Sequence, residues 1–279
     1  MLSTVLLCSF AQPGPPLSTW MGFPAHSYGA AWTAPLLLTA SLFLGPLLLQ
    51  LLDALHAGRQ DKQPGIGAAV RFAWGRLSGH WDGHLRWQSL RNLLVAPVCE
   101  EIMFRGVVLA LLVSGGWGFR ACVLLSPLLF GLAHVHHLFS LTLSRGMGPR
   151  QAALVVLFQL AYTTLFGAYA SALFLRTGHM LAVVLAHTWC NLLGFPELRF
   201  LHPSHRLHPR RHAVLAVFVA GIVVFSLALL PLTDDQWLYS AGATDGHTHA
   251  EGLHDSGSWL LHYQRMHQQG VMDKFVPTL

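Results

Sequence analysis

Charge is what this chain has least of. Only 10% of its 279 residues are charged, while 53% are hydrophobic and mean hydropathy is +0.48. Soluble domains carry about 25% charge, so an ordinary water-solvated domain is excluded. Lysine is nearly missing: Lys62 and Lys274 are the only two, and the net charge of +5 comes from arginine. The arginines fall mainly between apolar runs, the pattern of cytosolic loops, which argues against a nucleic-acid partner. Cysteine is scarce as well. Cys8, Cys99, Cys122 and Cys190 are scattered and form no CxxC, which points to buried free thiols and away from a disulfide framework. HExxH and GxSxG are both missing, so neither the usual zinc-protease helix nor a serine nucleophile elbow is present. No internal repeat or low-complexity tract occurs, and the final VPTL is neither a prenylation box nor a retrieval signal.

Long apolar runs are what remains. They fall at roughly 32–52, 88–113, 120–140, 151–175, 180–196 and 213–232. A crossing needs about 20 residues for about 30 Å of hydrocarbon. The sequence therefore predicts an all-α polytopic membrane helix bundle of about six helices, the fifth short enough to be re-entrant or to continue past Pro196. Residues 32–232 form the membrane domain. Residues 1–31 read equally as a signal-peptide-like start without a basic region or as the remnant of a first helix. Residues 233–279 are polar and read as a solvent-exposed, poorly ordered tail. Residues 65–91 mix Trp74, Trp81 and Trp87 with Arg and Gly, as an interfacial segment does. Arginine is concentrated in the loops 53–87, 141–150 and 197–212, while the alternate loops offer Arg120 and Arg176. The positive-inside rule assigns 53–87, 141–150 and 197–212, the first, third and fifth loops, to the cytosol.

Between Gly83 and Pro196 the only acidic residues are Glu100 and Glu101, in CEEIMFRG (99–106). They lie about 13–15 Å along the helix from Arg91. Even on a lenient scale a charge at mid-bilayer costs about 2.5–3.5 kcal/mol. Glu101 and Arg105 are four apart and share a helix face, so they can pair. Glu100 points about 100° away from that pair. Two more polar pairs lie on apolar runs: Phe130 with His134 in FGLAH, and His187 with Asn191 in HTWCN, each one turn apart. Polar groups in membrane helices turn toward the bundle interior or a wet cavity. A desolvated glutamate suits a general base, a histidine can help position or deprotonate water, and a His with an Asn supplies donors for an oxyanion. The set fits water-mediated hydrolysis of an acyl bond.

Bland readings exist for each residue. The glutamates can be an ion-pair lock between helices, His134 a satisfied buried histidine, Asn191 interhelical glue. Met103, Phe104 and Phe130 read as packing, and His136 and His137 as interfacial or supporting groups. His202, His205, His208 and His212 sit among arginines, as on a solvated or headgroup-facing surface.

Taken in order, EExxxR (Glu100, Glu101, Arg105), FxxxH (Phe130, His134) and HxxxN (His187, Asn191) resemble the type II CAAX prenyl endopeptidase family, the Ras-converting CAAX endopeptidases. The flanking RNLLVAP (91–97), FGAYASALFLRTGH (166–179) and CNLLGFP (190–196) look like its eukaryotic branch, and the likeness covers about residues 88–200. The resemblance implies a multi-pass protease of the endoplasmic reticulum membrane with its active site open to the cytosol. It implies removal of the last three residues of farnesylated or geranylgeranylated CAAX proteins such as Ras-type GTPases. On that likeness Glu100 and His134 activate water, His187 and Asn191 form the oxyanion site, and Glu101, Arg105 and Phe130 support them, with no metal or other cofactor. The family has about eight membrane helices, more than the runs counted here. Two alternatives stand beside this reading. One is a zinc metalloprotease holding its ion with Glu100 and His134, His136 or His187. The other is a catalytically inactive membrane scaffold.

Overall fold

A computed structural model describes residues 18, 21–23, 30–60, 84–115 and 117–234. Trp74, Trp81 and nearly all of 1–31 and 233–279 lie outside them. Among the described residues every regular element is helical. The main helices are α1 (Ala30–Leu42), α2 (Leu44–Gln60), α3 (84–114), α4 (Phe119–Leu132), α5 (Pro149–Thr177), α6 (Met180–Leu193) and α7 (Arg211–Leu232). Three helical runs are long and apolar enough to cross a membrane: Phe119–Ser144, Pro149–Thr177 and His208–Leu232. A fourth arises if α1 and α2, bent by 68°, count as one broken span. Exposed leucines such as Leu165 (73%) and Leu227 (74%) suit a surface that meets lipid. The fold is a polytopic membrane helix bundle.

The remaining two of the six expected spans have physical reasons to differ. α3 carries Arg91, Glu100, Glu101 and Arg105, too much charge for a plain apolar span. α6 stops at Leu193, where Gly194 (φ +67) leaves the helix with its N–H on Cys190 O at 2.8 Å. A left-handed glycine is a standard helix end. At its other boundary, α5 begins with Pro149 as its first residue and ends at Gly178 (φ +63), whose N–H reaches Phe174 O at 2.7 Å.

The chain divides into two compact units, one built on Glu100–Val183, the other on Thr33–Cys99 with Val184–Leu232. In the first, α4 runs along α5. Two glycines make that approach possible. A Cβ on Gly167 would stand 3.0 Å from Pro127 Cβ and 3.2 Å from its Cα. A Cβ on Gly131 would meet Thr164 Oγ1 and stand 2.8 Å from Leu160 Cδ1. Small residues at crossings are the usual way membrane helices gain contact. In the second unit α2 packs on α7. The Phe218 ring occupies the space a Cβ on Gly45 would need, and a Cβ on Gly221 would stand 2.7 Å from Ser41 O. The bend between α1 and α2 is accompanied by Thr39 Oγ1 donating to Pro35 O (2.8 Å) and Ser41 Oγ donating to Leu38 O (2.6 Å). Hydroxyls bonded back onto their own helix bend it.

Candidate active site

α3 is helical throughout but not uniformly α. Its turns Arg91–Val95 and Ile102–Leu109 are π-helical, on either side of the α turn Ala96–Glu101. Such turns are rare and recur at functional sites. The first has a cause in the sequence. Pro97 has no N–H, so the donor that Leu93 O would take in an α-helix, or Asn92 O in a π turn, is missing. Ala96 N–H instead reaches back five residues to Arg91 O.

In the first unit, the Glu101–Arg105 pair expected from spacing is present: Oε2 and Nη1 are 2.9 Å apart and both side chains are fully buried. Arg105 also donates through Nη2 to Gly167 O on α5 at 3.1 Å. Its guanidinium lies 5.0 Å from the Phe130 ring centre and 6.0 Å from that of Phe166. Cation–π attraction therefore adds to the ion pair. Phe130 packs edge-on against Phe104 at 4.9 Å and against His134 at 5.1 Å. A contiguous chain thus runs Glu101, Arg105, Phe130, His134.

His134 sits in the turn that follows α4, half-buried. Its Nδ1 is 2.9 Å from Phe130 O. A carbonyl can only accept, so Nδ1 carries the proton and the neutral ring offers its lone pair at Nε2. His136 makes a similar bond to Ala133 O at 2.7 Å but is exposed, and its ring lies 4.2 Å from that of His137. Glu100 is half-buried, one position from the fully buried Glu101.

His187 and Asn191 lie on the part of α6 that belongs to the second unit. His187 is buried and Asn191 exposed. Asn191 Nδ2 donates to Asn92 O at 3.0 Å, and Thr188 Oγ1 donates to Leu93 O at 2.9 Å. One of these two carbonyls, Leu93 O in an α turn or Asn92 O in a π turn, is the one that Pro97 leaves without its helical donor. The amide of Asn191 is thereby tethered by one N–H, with a second N–H left to offer. Among the described residues, no three His, Cys, Asp or Glu side chains gather as a metal-ligand set.

Several contributors escaped the sequence reading. The main chain of Gly167, Asn92 and Leu93 carries no side-chain signal for its role. Thr188 stood inside a quoted motif at a position with no assigned part. Pro97 was the readable clue, since a proline four residues after Leu93 announces an unpaired carbonyl there. Of the three thiols described, Cys122 and Cys190 are buried as expected, while Cys99 is exposed.

Fold and site together define an all-helical integral membrane protein with proton-handling side chains set into its apolar helices. Residues 82–193 match the family model described as "Type II CAAX prenyl endopeptidase Rce1-like". The chain is 38% identical over 224 residues to "CAAX prenyl protease 2" of Homo sapiens, covering 80% of this chain and 64% of that protein. It is 35% identical over 205 residues to the Arabidopsis thaliana protein of the same name, covering 71% and 62%. With "Probable CAAX prenyl protease 2" of Schizosaccharomyces pombe it shares 37% over 163 residues, 58% and 54% of the two chains. No solved structure matches. The chain spans less than two thirds of the length of these curated relatives. The segment that carries all three motifs is thus similar to the type II CAAX prenyl endopeptidase family.

Proposed function

We propose that the chain is an intramembrane endopeptidase that removes the C-terminal tripeptide of prenylated CAAX proteins, acting in the endoplasmic reticulum membrane from its cytosolic side. The observation that carries this reading is the ordered set of three motifs inside the family-matched segment, with His134 held as the tautomer that presents Nε2. Glu100 takes the proton of the attacking water, and His134 Nε2 accepts the water's other hydrogen and fixes its direction. Addition to the scissile carbonyl makes a tetrahedral oxyanion, for which His187 and the second N–H of Asn191 are the donors. The proton held by Glu100 then passes to the departing amine. Glu101 and Arg105 keep α3 in register, and Phe130 sets the His134 ring.

The test is cleavage of a farnesylated CAAX peptide by purified full chain in nanodiscs. Glu100→Ala and His134→Ala abolish it; near-normal turnover by either overturns the mechanism. Asn191→Ala loses about 10²–10³ in kcat, the usual worth of one oxyanion donor. Turnover survives exhaustive metal removal; loss that added zinc restores would establish the metalloprotease alternative instead. A scaffold without activity would show no cleavage in any of these preparations.

A further inference from the structure

The arginines and histidines of the 197–212 loop take no part in this chemistry, yet the structure holds them in an ordered knot. Phe200, Leu207 and Val214 are buried together with Leu49, Leu52 and Phe218 against them. The rings of Phe200 and Phe218 stack with centres 5.5 Å apart. Arg206 pairs with Asp53 of α2. These contacts pin the loop to α2 and α7 from within one unit. Between the pins, Arg199, His202, Arg210 and His212 are exposed.

Hydrogen bonding decides what this surface offers. His202 Nδ1 accepts from Ser204 Oγ at 2.7 Å and from Ser204 N–H at 3.3 Å. His205 Nδ1 accepts from Leu207 N–H at 3.2 Å. Each ring therefore carries its proton on Nε2 as a donor. With the guanidinium groups the loop is a field of hydrogen-bond donors and positive charge. Glu197 is its one carboxylate, 3.4 Å from Arg199 in a pair so exposed that it holds Arg199 only weakly. The loop also opens directly into the apolar run His208–Leu232, which is long enough to cross a membrane. Its first turn, with Arg210, Arg211 and His212, thus lies at the edge of the hydrocarbon. Exposed Phe195, Leu198 and Leu201 stand among the charges. That mixture belongs at a headgroup boundary.

We propose that the 197–212 loop is a binding surface for the anionic headgroups of phospholipids in the membrane this helix crosses. Phosphate oxygens match a surface dominated by donors, and the exposed leucines favour a lipid over a soluble phosphate. A basic residue near an anionic membrane surface is worth about fivefold in affinity. The experiment reconstitutes the full chain in nanodiscs of phosphatidylcholine containing a minor fraction of phosphatidylserine, and reads the lipids retained on gentle extraction by mass spectrometry. Phosphatidylserine is retained above its bulk fraction. Arg199→Gln with Arg210→Gln returns retained phosphatidylserine to near its bulk fraction, the two residues together being worth about 25-fold in affinity. Arg199→Lys with Arg210→Lys keeps most of the enrichment, and unchanged circular dichroism shows that each variant is folded. Inorganic phosphate or a soluble inositol phosphate leaves the enrichment in place at equal ionic strength. The proposal is overturned if wild type shows no enrichment, if the Gln pair retains as much as wild type, if the Lys pair loses as much as the Gln pair, or if soluble phosphate displaces the lipid.

Discussion

At the scale of the residue, two adjacent glutamates have separate fates. Glu101 is fully buried and paired with an equally buried Arg105, whereas Glu100 is half-buried. Breaking a buried pair by removing one partner leaves a stranded charge and costs about 3–5 kcal/mol. Glu101→Gln is therefore expected to lower the melting temperature of the protein in nanodiscs sharply, and with it the yield of folded material. Glu100→Gln is expected to leave melting nearly unchanged while removing turnover. Equal melting for the two variants would contradict this division. Arg105→Lys should behave like Glu101→Gln, because a lysine's single nitrogen cannot serve Glu101 and Gly167 O together while staying over the Phe130 ring. The pair itself was readable from a spacing of four. Its third partner was not, since the Gly167 carbonyl lies 62 positions along the chain and no side chain announces it.

At the scale of the element, α3 shows why composition placed the helices but not their inner geometry. The apolar run at 88–113 locates the helix found at 84–114. Nothing in its hydropathy tells a π turn from an α turn. Pro97 does, through the donor it lacks, and the structure answers with Thr188 and Asn191 donating from α6. Pro97→Ala restores that donor and lets it compete for Leu93 O with Thr188 or, in a π turn, for Asn92 O with Asn191. The expected outcome is a fall in kcat with KM little changed, as Asn191 loses its fixed aim. Thr188→Val removes one cross-helix bond and is expected to cost about 0.6 kcal/mol in unfolding free energy, the average for such bonds in membrane helices. A larger effect of Thr188→Val on KM than on kcat would count against the positioning role. On α5, Gly167→Ala places a Cβ 3.0–3.2 Å from Pro127, and the cost is expected at about 1–3 kcal/mol, as for other overpacked contacts. Melting in nanodiscs measures it.

At the scale of the whole molecule, the length of α6 governs how the chain crosses the bilayer after α5. α6 has 14 residues, about 21 Å of helix against about 30 Å of hydrocarbon. If α6 nonetheless crosses, the 197–212 loop emerges on the side that the 141–150 loop occupies. If α6 turns back inside the membrane, the 197–212 loop shares a side with the Gly178 turn. Loop charge favours crossing. Arg145 and Arg150 mark one loop and Arg199, Arg206, Arg210 and Arg211 the other, while beside the turn between α5 and α6 stands Arg176, in the last turn of α5 and already bonded to Thr233 Oγ1 at 2.6 Å. Loop arginines set orientation strongly when loops are short. Tilt cannot lengthen a helix, but a thinned bilayer can shorten the crossing at modest cost. Single cysteines at the exposed positions 144 and 203, in a background with Cys8, Cys99, Cys122 and Cys190 changed to Ala, separate the two cases. In sealed microsomes an impermeant maleimide is expected to label Ser144→Cys and Pro203→Cys alike, from the cytosolic side. Labelling of Pro203→Cys only after the vesicles are opened would make α6 re-entrant. It would also move the basic loop away from the leaflet that is richest in anionic lipid.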